Sequence, residues 1–200
     1  MKKFISFLCF LVILTAGSAA SATTTTQIWY FGTEDPTPLV PDFVDNPYGN
    51  PQLKVDKGSG AGWQSAADGR RGIWSLSGEI DVLIPNYQVL NPYKEITIDL
   101  TWAPGGADPW LPDQPLVGVS AIPMDRMTMS VVNDPFVGTI WTQSIYSIVI
   151  WPNPREEWIA IKGDILVDKL DIKTTCVPEP ATMGLLSLGG LALLRSRRKH

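Results

Sequence analysis

The stretch Lys94–Trp102, KEITIDLTW, alternates apolar and polar residues with a period of two. One set of alternate positions is apolar: Ile96, Ile98, Leu100 and Trp102. The positions between them are polar: Thr97, Asp99 and Thr101. Because successive side chains of a β-strand point to opposite faces, this pattern predicts a strand that is buried on one side.

Further strands are predicted on both sides of this stretch, and no helix of ordinary length is evident between the two ends of the chain. Weak alternation at Met127, Met129 and Val131 indicates one of them. Gly138–Trp151 is predicted to be one long strand or two strands joined by a bulge. Gly163-Asp164 is typical of a hairpin turn. The remaining predicted strands are Gln27–Phe31, Ile73–Leu83, Leu116–Ile122, Glu157–Lys162 and Ile165–Lys173.

About eight strands with long intervening loops favour an all-β fold, an antiparallel β-sandwich of jelly-roll type, and a closed barrel stays the alternative. Two stretches are predicted to be rich in loops, Thr33–Gln64 and Ala103–Pro115. This mature domain is expected to span residues 23–176. A signal peptide is predicted before it and a transmembrane helix after it.

Residues 1–22 are typical of a secretory signal peptide. Lys2 and Lys3 are followed by an apolar run and by small residues, and the expected cleavage point lies after Ala22 or after Ala20. The apolar run is too short to span a membrane, which takes about 20 residues. Signal peptidase and the general secretion machinery are therefore expected partners.

The C-terminal residues 177–200 fall into three parts. Residues 177–182, VPEPAT, are rigid because two prolines break any preceding strand or helix. The segment 181–194 is uncharged and predicts a transmembrane helix, which rises only about 21 Å against a hydrocarbon core of about 30 Å. The segment 195–200 is basic and keeps to the cytoplasmic side, and its charges are those of Arg195, Arg197, Arg198 and Lys199.

This tail resembles the PEP-CTERM sorting signal, with its Val177, Pro178, Glu179 and Pro180, an apolar helix and terminal arginines. The resemblance is confined to residues 177–200. It implies recognition by an exosortase, a membrane-embedded transpeptidase that cuts near the motif and releases or transfers the protein. It also implies export through the inner membrane, transient anchoring, and a final place on the cell surface or outside, in a host that makes exopolysaccharide and biofilm matrix. An ordinary single-span anchor after a proline-rich stalk is the alternative.

The segment 23–180 is strongly acidic. It carries ten of the sixteen Lys and Arg and all twenty Asp and Glu, a net charge of −10, which the whole-chain value of −4 hides. Such a surface repels nucleic acid and anionic lipid. Nucleic acid is therefore not an expected partner.

Two residue types that many active sites need are almost absent. The only histidine is His200, and the only cysteine outside the signal peptide is Cys176. The mature domain thus lacks the imidazole of Ser-His-Asp or Cys-His catalysis and the ligands of a His or Cys zinc site. We expect no catalytic site, no metal site and no cofactor. Cys176 is expected to lie in a linker, and pairing between molecules is the alternative.

Two acidic loops can donate oxygen atoms to structural calcium, which prefers carboxylates and carbonyls. They are Asp42–Asn46 and Asp108–Asp113, and neither fits the calcium-loop pattern of an EF-hand. Glu156 and Glu157 follow a Pro-Asn-Pro stretch. Adjacent residues on a strand point to opposite faces, so these two are interpreted as polar punctuation, that is, as polar residues that separate the Pro-Asn-Pro stretch from the next strand.

Glu79 and Asp81 stand two apart, so on a strand both project from one face. The local sequence Gly78–Leu83, GEIDVL, resembles the catalytic strand of laminarinase-type jelly-roll glycosidases. That family has a second glutamate shortly after the aspartate, where this chain has Leu83 and Ile84. Since retaining glycosidases need both carboxylates, a glycan-active hydrolase that uses Glu79 and Asp81 is only the alternative function.

Tryptophans on exposed loops provide flat platforms for sugar rings. Trp63 and Trp110 lie in segments rich in Gly and Pro and are the candidates, whereas Trp74 and Trp102 fall inside strand patterns and are expected in the core. The leading hypothesis is therefore an exported, exosortase-sorted surface or matrix protein. Its β-domain would be non-enzymatic and would act as a structural, adhesive or glycan-binding module in exopolysaccharide or biofilm.

Overall fold

The computed structural model describes residues 22–32, 40–86, 92–106 and 108–177. The predicted signal peptide up to residue 21, with Ala20, lies outside these residues, and so do 178–200 with Pro178, Glu179, Pro180, the predicted helix and the basic tail. The described residues form ten strands in one compact unit, Thr23–Val177. The strands are β1 Thr23–Trp29, β2 Phe43–Asp45, β3 Gln52–Asp56, β4 Gly62–Ala67, β5 Arg70–Pro85, β6 Tyr93–Pro104, β7 Leu116–Ala121, β8 Arg126–Pro135, β9 Thr142–Trp151 and β10 Glu156–Val177.

The 22-residue strand β10 organises the sheet. Its C-terminal half pairs with β1 on one side and β6 on the other, in the order β2-β1-β10-β6-β9-β8. We call these strands the first half-sheet. Its N-terminal half pairs with β5 and β7, and β5 also pairs with β3 and β4. We call these strands the second half-sheet. All of these strand pairs are antiparallel, so β10 joins two half-sheets into one continuous structure.

The inner faces of both half-sheets contribute to one apolar core. The face predicted on β6 is buried, and its residues contact those of β5 and β10 in the second half-sheet, in a cluster that includes Ile96, Ile98, Leu100, Trp102, Ile80, Val82, Ile159 and Ile161. Trp74 is also in this cluster, as predicted. A smaller cluster surrounds Trp141, with Ile73, Ala103 and Leu166.

The predicted all-β, antiparallel class is confirmed. The jelly-roll type is not confirmed, because β10 belongs to both half-sheets instead of to one of two separate sheets. Among the described strands β8 pairs with β9 alone, so this edge is open and the sheet does not close there. No helix long and apolar enough to cross a membrane occurs in the part of the chain that the structure describes.

The hairpin predicted at Gly163-Asp164 is wrong, because β10 runs straight through these residues. Gly163 pairs with Gly78 of β5. Asp164 is buried and its carboxylate accepts hydrogen bonds from Ser77 Oγ at 2.9 Å and from the backbone N–H of Asp108 at 2.8 Å. The Gly-Asp pair therefore holds the loop before β7 against the sheet. This contact explains why a glycine and an aspartate, which are typical of turns, occur inside a strand.

Three other predictions differ from the structure. The stretch predicted as loops between residues 33 and 64 contains β2, β3 and the start of β4 with Trp63, because strands of three to six residues are too short to show a clear alternation. The strand predicted from Gly138 begins only at Thr142, because a turn brings the N–H of Phe136 to the carbonyl of Trp141. Cys176 does not lie in a linker, since it is buried in β10 at 2% exposure.

Candidate functional site

The second half-sheet has an outer face, whose residues alternate with the buried inner ones. In register, three rows cross β3, β5, β10 and β7. We call this surface the Trp158 face. Its rows are Gln52, Leu83, Trp158 and Ser120, then Lys54, Asp81, Ala160 and Gly118, then Asp56, Glu79, Lys162 and Leu116.

Trp158 is the large aromatic residue of this face, and 47% of it is exposed. Its register neighbours are Leu83 on β5 and Ser120 on β7. Close to it Gly118 has no side chain, and no atom lies within 4 Å of the position that a Cβ would take there. Together with the small Ala160, this leaves open space on the face next to the row that contains Trp158.

Glu79 and Asp81 lie together on the Trp158 face, as their spacing predicted. Lys162 Nζ lies 3.0 Å from the Oε2 of Glu79. Burial raises the pKa of Asp81, and the charge of Glu79 raises it further. The charges of Lys162 and Lys54 oppose that increase in the pKa. The face thus carries carboxylate and ammonium groups that can hydrogen-bond to hydroxyl groups.

The two tryptophans predicted to stack on sugars differ in exposure. Trp63 is half-buried against the main core, and its Nε1–H donates to the carbonyl of Phe31 at 2.8 Å. Trp110 is 91% exposed in the loop before β7, where its backbone N–H donates to Asp108 Oδ1 at 2.9 Å. The structure therefore leaves Trp110 accessible and engages the Trp63 indole in packing.

Trp158 was not predicted as a site residue, although the sequence contains a signal for it. It shares strand parity with Ala160 and Lys162, and the buried positions of the same strand are Ile159 and Ile161. A tryptophan in phase with a lysine and out of phase with two isoleucines is expected on the polar face of a strand. Only tryptophans in predicted loops were candidates for stacking on sugars, and Trp158 lies inside a strand.

The two acidic loops use carboxylates for local hydrogen bonds. Asp42 Oδ2 accepts from the backbone N–H of Tyr30 at 2.7 Å. Asp108 Oδ1 accepts from the N–H of Trp110. Within the described ranges no three His, Cys, Asp or Glu side chains group so as to hold a metal ion. Calcium at either loop stays a prediction.

A buried polar cluster lies at one end of the core, where the two half-sheets meet. Its members are Asn86, Lys94, Asn153, Glu157 and Cys176, all at most 2% exposed. Lys94 of β6 forms an ion pair with Glu157 of β10, and both side chains are fully buried.

The interpretation of Glu157 as polar punctuation is therefore wrong, because Glu157 shares the inward parity of Ile159 and Ile161. Lys94 likewise shares the parity of the apolar face of β6, a signal that the sequence contained.

Asn86 holds the centre of this cluster. Its Nδ2 donates to Glu157 Oε2 at 2.7 Å and to the carbonyl of Pro154 at 2.9 Å. Its Oδ1 accepts from Lys94 Nζ at 2.5 Å, and Cys176 Sγ lies 3.6 Å from the same oxygen. The amide therefore connects the amine, the carboxyl and the thiol.

Burial dominates the acid-base properties of this pair. It lowers the pKa of the Lys94 amine, against the opposing effect of Glu157. It raises the pKa of the Glu157 carboxyl, against the opposing effect of Lys94. Burial thus penalises the charged form of each group, and the opposite charge of the partner acts against that penalty in both.

The last described strand, β10, ends at Val177, immediately before the first proline of the tail. Among curated proteins none matches the chain. The family model of the PEP-CTERM protein-sorting motif matches residues 177–199. The chain therefore carries a PEP-CTERM protein-sorting motif, which begins where the β-domain ends.

Proposed function

We propose that this protein is sorted by an exosortase through residues 177–200 and works outside the cell as a non-enzymatic module that binds neutral polysaccharide. The sorting motif supports the first part, because it implies export and a membrane-anchored sorting signal. The observation that carries the second part is Trp158, a half-exposed tryptophan on an outer sheet face that also carries Glu79, Asp81 and Lys162. Trp110 is a second accessible tryptophan, in the loop before β7.

The chemistry of the Trp158 face suits a sugar chain. An indole buries a large area against the apolar side of a sugar ring, and its flatness costs little conformational entropy. Glu79, Asp81 and Lys162 can exchange hydrogen bonds with the ring hydroxyls. The net charge of −10 over residues 23–180 repels polyanions, so a neutral glycan is favoured over a uronic-acid polymer.

A binding role agrees better with these groups than hydrolysis does. Glu79 is engaged with Lys162, and Leu83 and Ile84 stand in the places where the resemblance would require the acid/base glutamate. A retaining mechanism needs two carboxylates with separate roles, and the resemblance provides no position for the second. We therefore propose no residue for glycan hydrolysis and no cofactor for this protein.

Replacing Trp158 with alanine should weaken binding to a neutral β-glucan at least about tenfold, which corresponds to about 1.4 kcal/mol. The physical reason is the loss of the aromatic contact area that the indole provides on this face. Affinity electrophoresis in gels that contain soluble β-glucan measures the change. Alginate, an anionic polysaccharide, should retard the wild-type protein much less.

Three results would count against this proposal. One is that β-glucan retards Trp158→Ala as much as the wild type but no longer retards Trp110→Ala, which would mean that the glycan binds at the loop before β7. Another is that neither β-glucan nor other neutral glycans retard the wild type, which would leave a purely structural role. The third is release of reducing sugar by the wild type that Glu79→Gln abolishes, which would establish the hydrolase alternative.

The sorting proposal predicts the C-terminal residue of the protein found outside the cell. Processing near the motif should leave a chain that ends between residues 178 and 182, because β10 with its buried Cys176 ends just before them. Mass spectrometry of the extracellular protein identifies this end. The double variant Pro178→Ala/Pro180→Ala should stay in the membrane fraction with its chain intact to His200. An intact wild-type chain in the membrane would reduce the tail to a plain anchor.

A further inference from the structure

The buried polar cluster brings a nucleophile and an electrophile into contact. Lys94 Nζ lies 2.5 Å from Asn86 Oδ1. Because a C=O bond is about 1.23 Å long, the amine nitrogen lies no more than about 3.7 Å from the amide carbon, Asn86 Cγ. This approaches the separation of about 3–3.5 Å at which reacting atoms are placed for attack.

Glu157 contacts both the Lys94 amine and the Asn86 amide, the two groups between which a proton would move if the amine attacked the amide. Its Oε1 is paired with Lys94 Nζ, and its Oε2 accepts from Asn86 Nδ2 at 2.7 Å. One carboxyl therefore bridges the attacking nitrogen and the nitrogen that would leave. The thiol of Cys176, with Sγ 3.6 Å from Asn86 Oδ1, is placed to donate to that oxygen as it gains charge.

The surroundings favour an amine that can react. Lys94 and Glu157 are fully buried, and Asn86 is 2% exposed. Burial lowers the pKa of Lys94 and raises that of Glu157, so both groups tend towards their neutral forms. A neutral amine has the lone pair that an ammonium lacks, and a neutral carboxyl has a proton to give.

We propose that Lys94 and Asn86 form an intramolecular isopeptide bond, with Glu157 as the catalytic proton carrier. The Lys94 Nζ lone pair attacks Asn86 Cγ and forms the new C–N bond. Glu157 takes a proton from Nζ through one oxygen and gives its own proton to Nδ2 through the other. The bond from Cγ to Nδ2 then breaks, and ammonia leaves. Glu157 ends in the form in which it began, and no oxidant, reductant or cofactor takes part.

This bond would connect the two half-sheets covalently. Asn86 directly follows β5 of the second half-sheet, and Lys94 is the second residue of β6 in the first. The bond would lie beside Cys176, close to the end of β10 where the sorting motif begins. A secreted domain with a single cysteine after its signal peptide would gain in this way a cross-link that a disulfide cannot provide within its chain.

The test is a peptide map of the wild-type protein, produced from the full chain, recovered after export and denatured before digestion. Trypsin does not cut after a lysine whose amine is acylated. The expected tryptic peptide therefore runs from Gly72 to Arg126 and is lighter than its sequence by the mass of one ammonia. Chymotryptic cleavage after Tyr87 or Leu90 should leave both pieces joined.

Two results from the wild type would overturn the proposal. One is a tryptic peptide Gly72–Lys94 of full mass, which means that no bond has formed. The other is ammonia loss with normal cleavage after Lys94 and with separable chymotryptic pieces. That result indicates a succinimide within one asparagine.

Variants identify the partners. Glu157→Gln and Lys94→Arg should show no ammonia loss in Gly72–Arg126 or its cleaved products, and circular dichroism checks that they fold. Asn153→Ala should keep the cross-link, because Asn153 is only a neighbour of Asn86. If the cross-link is lost in Asn153→Ala but retained in Asn86→Ala, the bond involves Asn153 instead of Asn86, and the proposal is overturned. None of these measurements depends on glycan binding or on sorting.

Discussion

Glu157→Ala should lower the free energy of unfolding by about 3–5 kcal/mol, because it leaves the Lys94 amine buried at the centre of a polar cluster without its carboxyl. Both side chains are fully buried, and Asn86 Nδ2 would also lose one of its hydrogen-bond acceptors. The variant also removes the proposed proton carrier, so the measured loss includes any contribution of the cross-link. Urea unfolding followed by tryptophan fluorescence measures the change.

The neighbouring residue provides a matched control. Glu156 is exposed and its side chain points away from the core, so Glu156→Ala should change the stability by no more than about 0.5 kcal/mol. The double variant Lys94→Met/Glu157→Leu should recover part of the loss, since it leaves neither titratable group of the pair buried without its partner. Equal stabilities of Glu156→Ala and Glu157→Ala would contradict the buried ion pair.

Ile98→Ala should lower the free energy of unfolding by about 2–5 kcal/mol. Ile98 is fully buried at the middle of β6, with Ile172 of β10 on one side and Tyr146 of β9 on the other. Its truncation leaves a cavity between two half-sheets whose strands are held in register, so the surroundings can collapse only in part. Chemical denaturation measures this effect as well.

Thr97→Val is the control for this position, since Thr97 is the next residue on the same strand and is exposed on the outer face. It keeps the β-branched shape, and its expected effect is within about 0.5 kcal/mol. A loss in Ile98→Ala as small as that in Thr97→Val would mean that the core does not lie on this face of β6.

The sequence predicted the local structure well where one face of a strand is uniformly apolar. β6 is the clearest case, because its alternation is set by the contrast between core and solvent within one segment. Prediction failed at Gly163-Asp164, where the local composition favours a turn. There the long-range pairing of Gly163 with Gly78 and the hydrogen bonds of Asp164 keep β10 extended.

The candidate sites show the same division. Glu79 and Asp81 were placed on one face by their spacing alone. Trp158 was missed, since its exposure depends on which face of β10 is covered in the second half-sheet. The contact of Lys94 with Asn86 and Glu157 was also missed. Parity indicates that Lys94 and Glu157 point inward, and only the packing of the two half-sheets shows that they meet.

By itself the sequence determined the sorting motif and the all-β class of this protein. The sorting motif is recognised as a linear peptide, and an all-β class follows from the period of the apolar residues, so neither needs the folded structure. The tertiary structure decided which strands pair, which tryptophan faces solvent, and that an amine, an amide and a carboxyl share one buried site. These properties depend on contacts between residues far apart in the chain, and such contacts leave no periodic trace in the sequence.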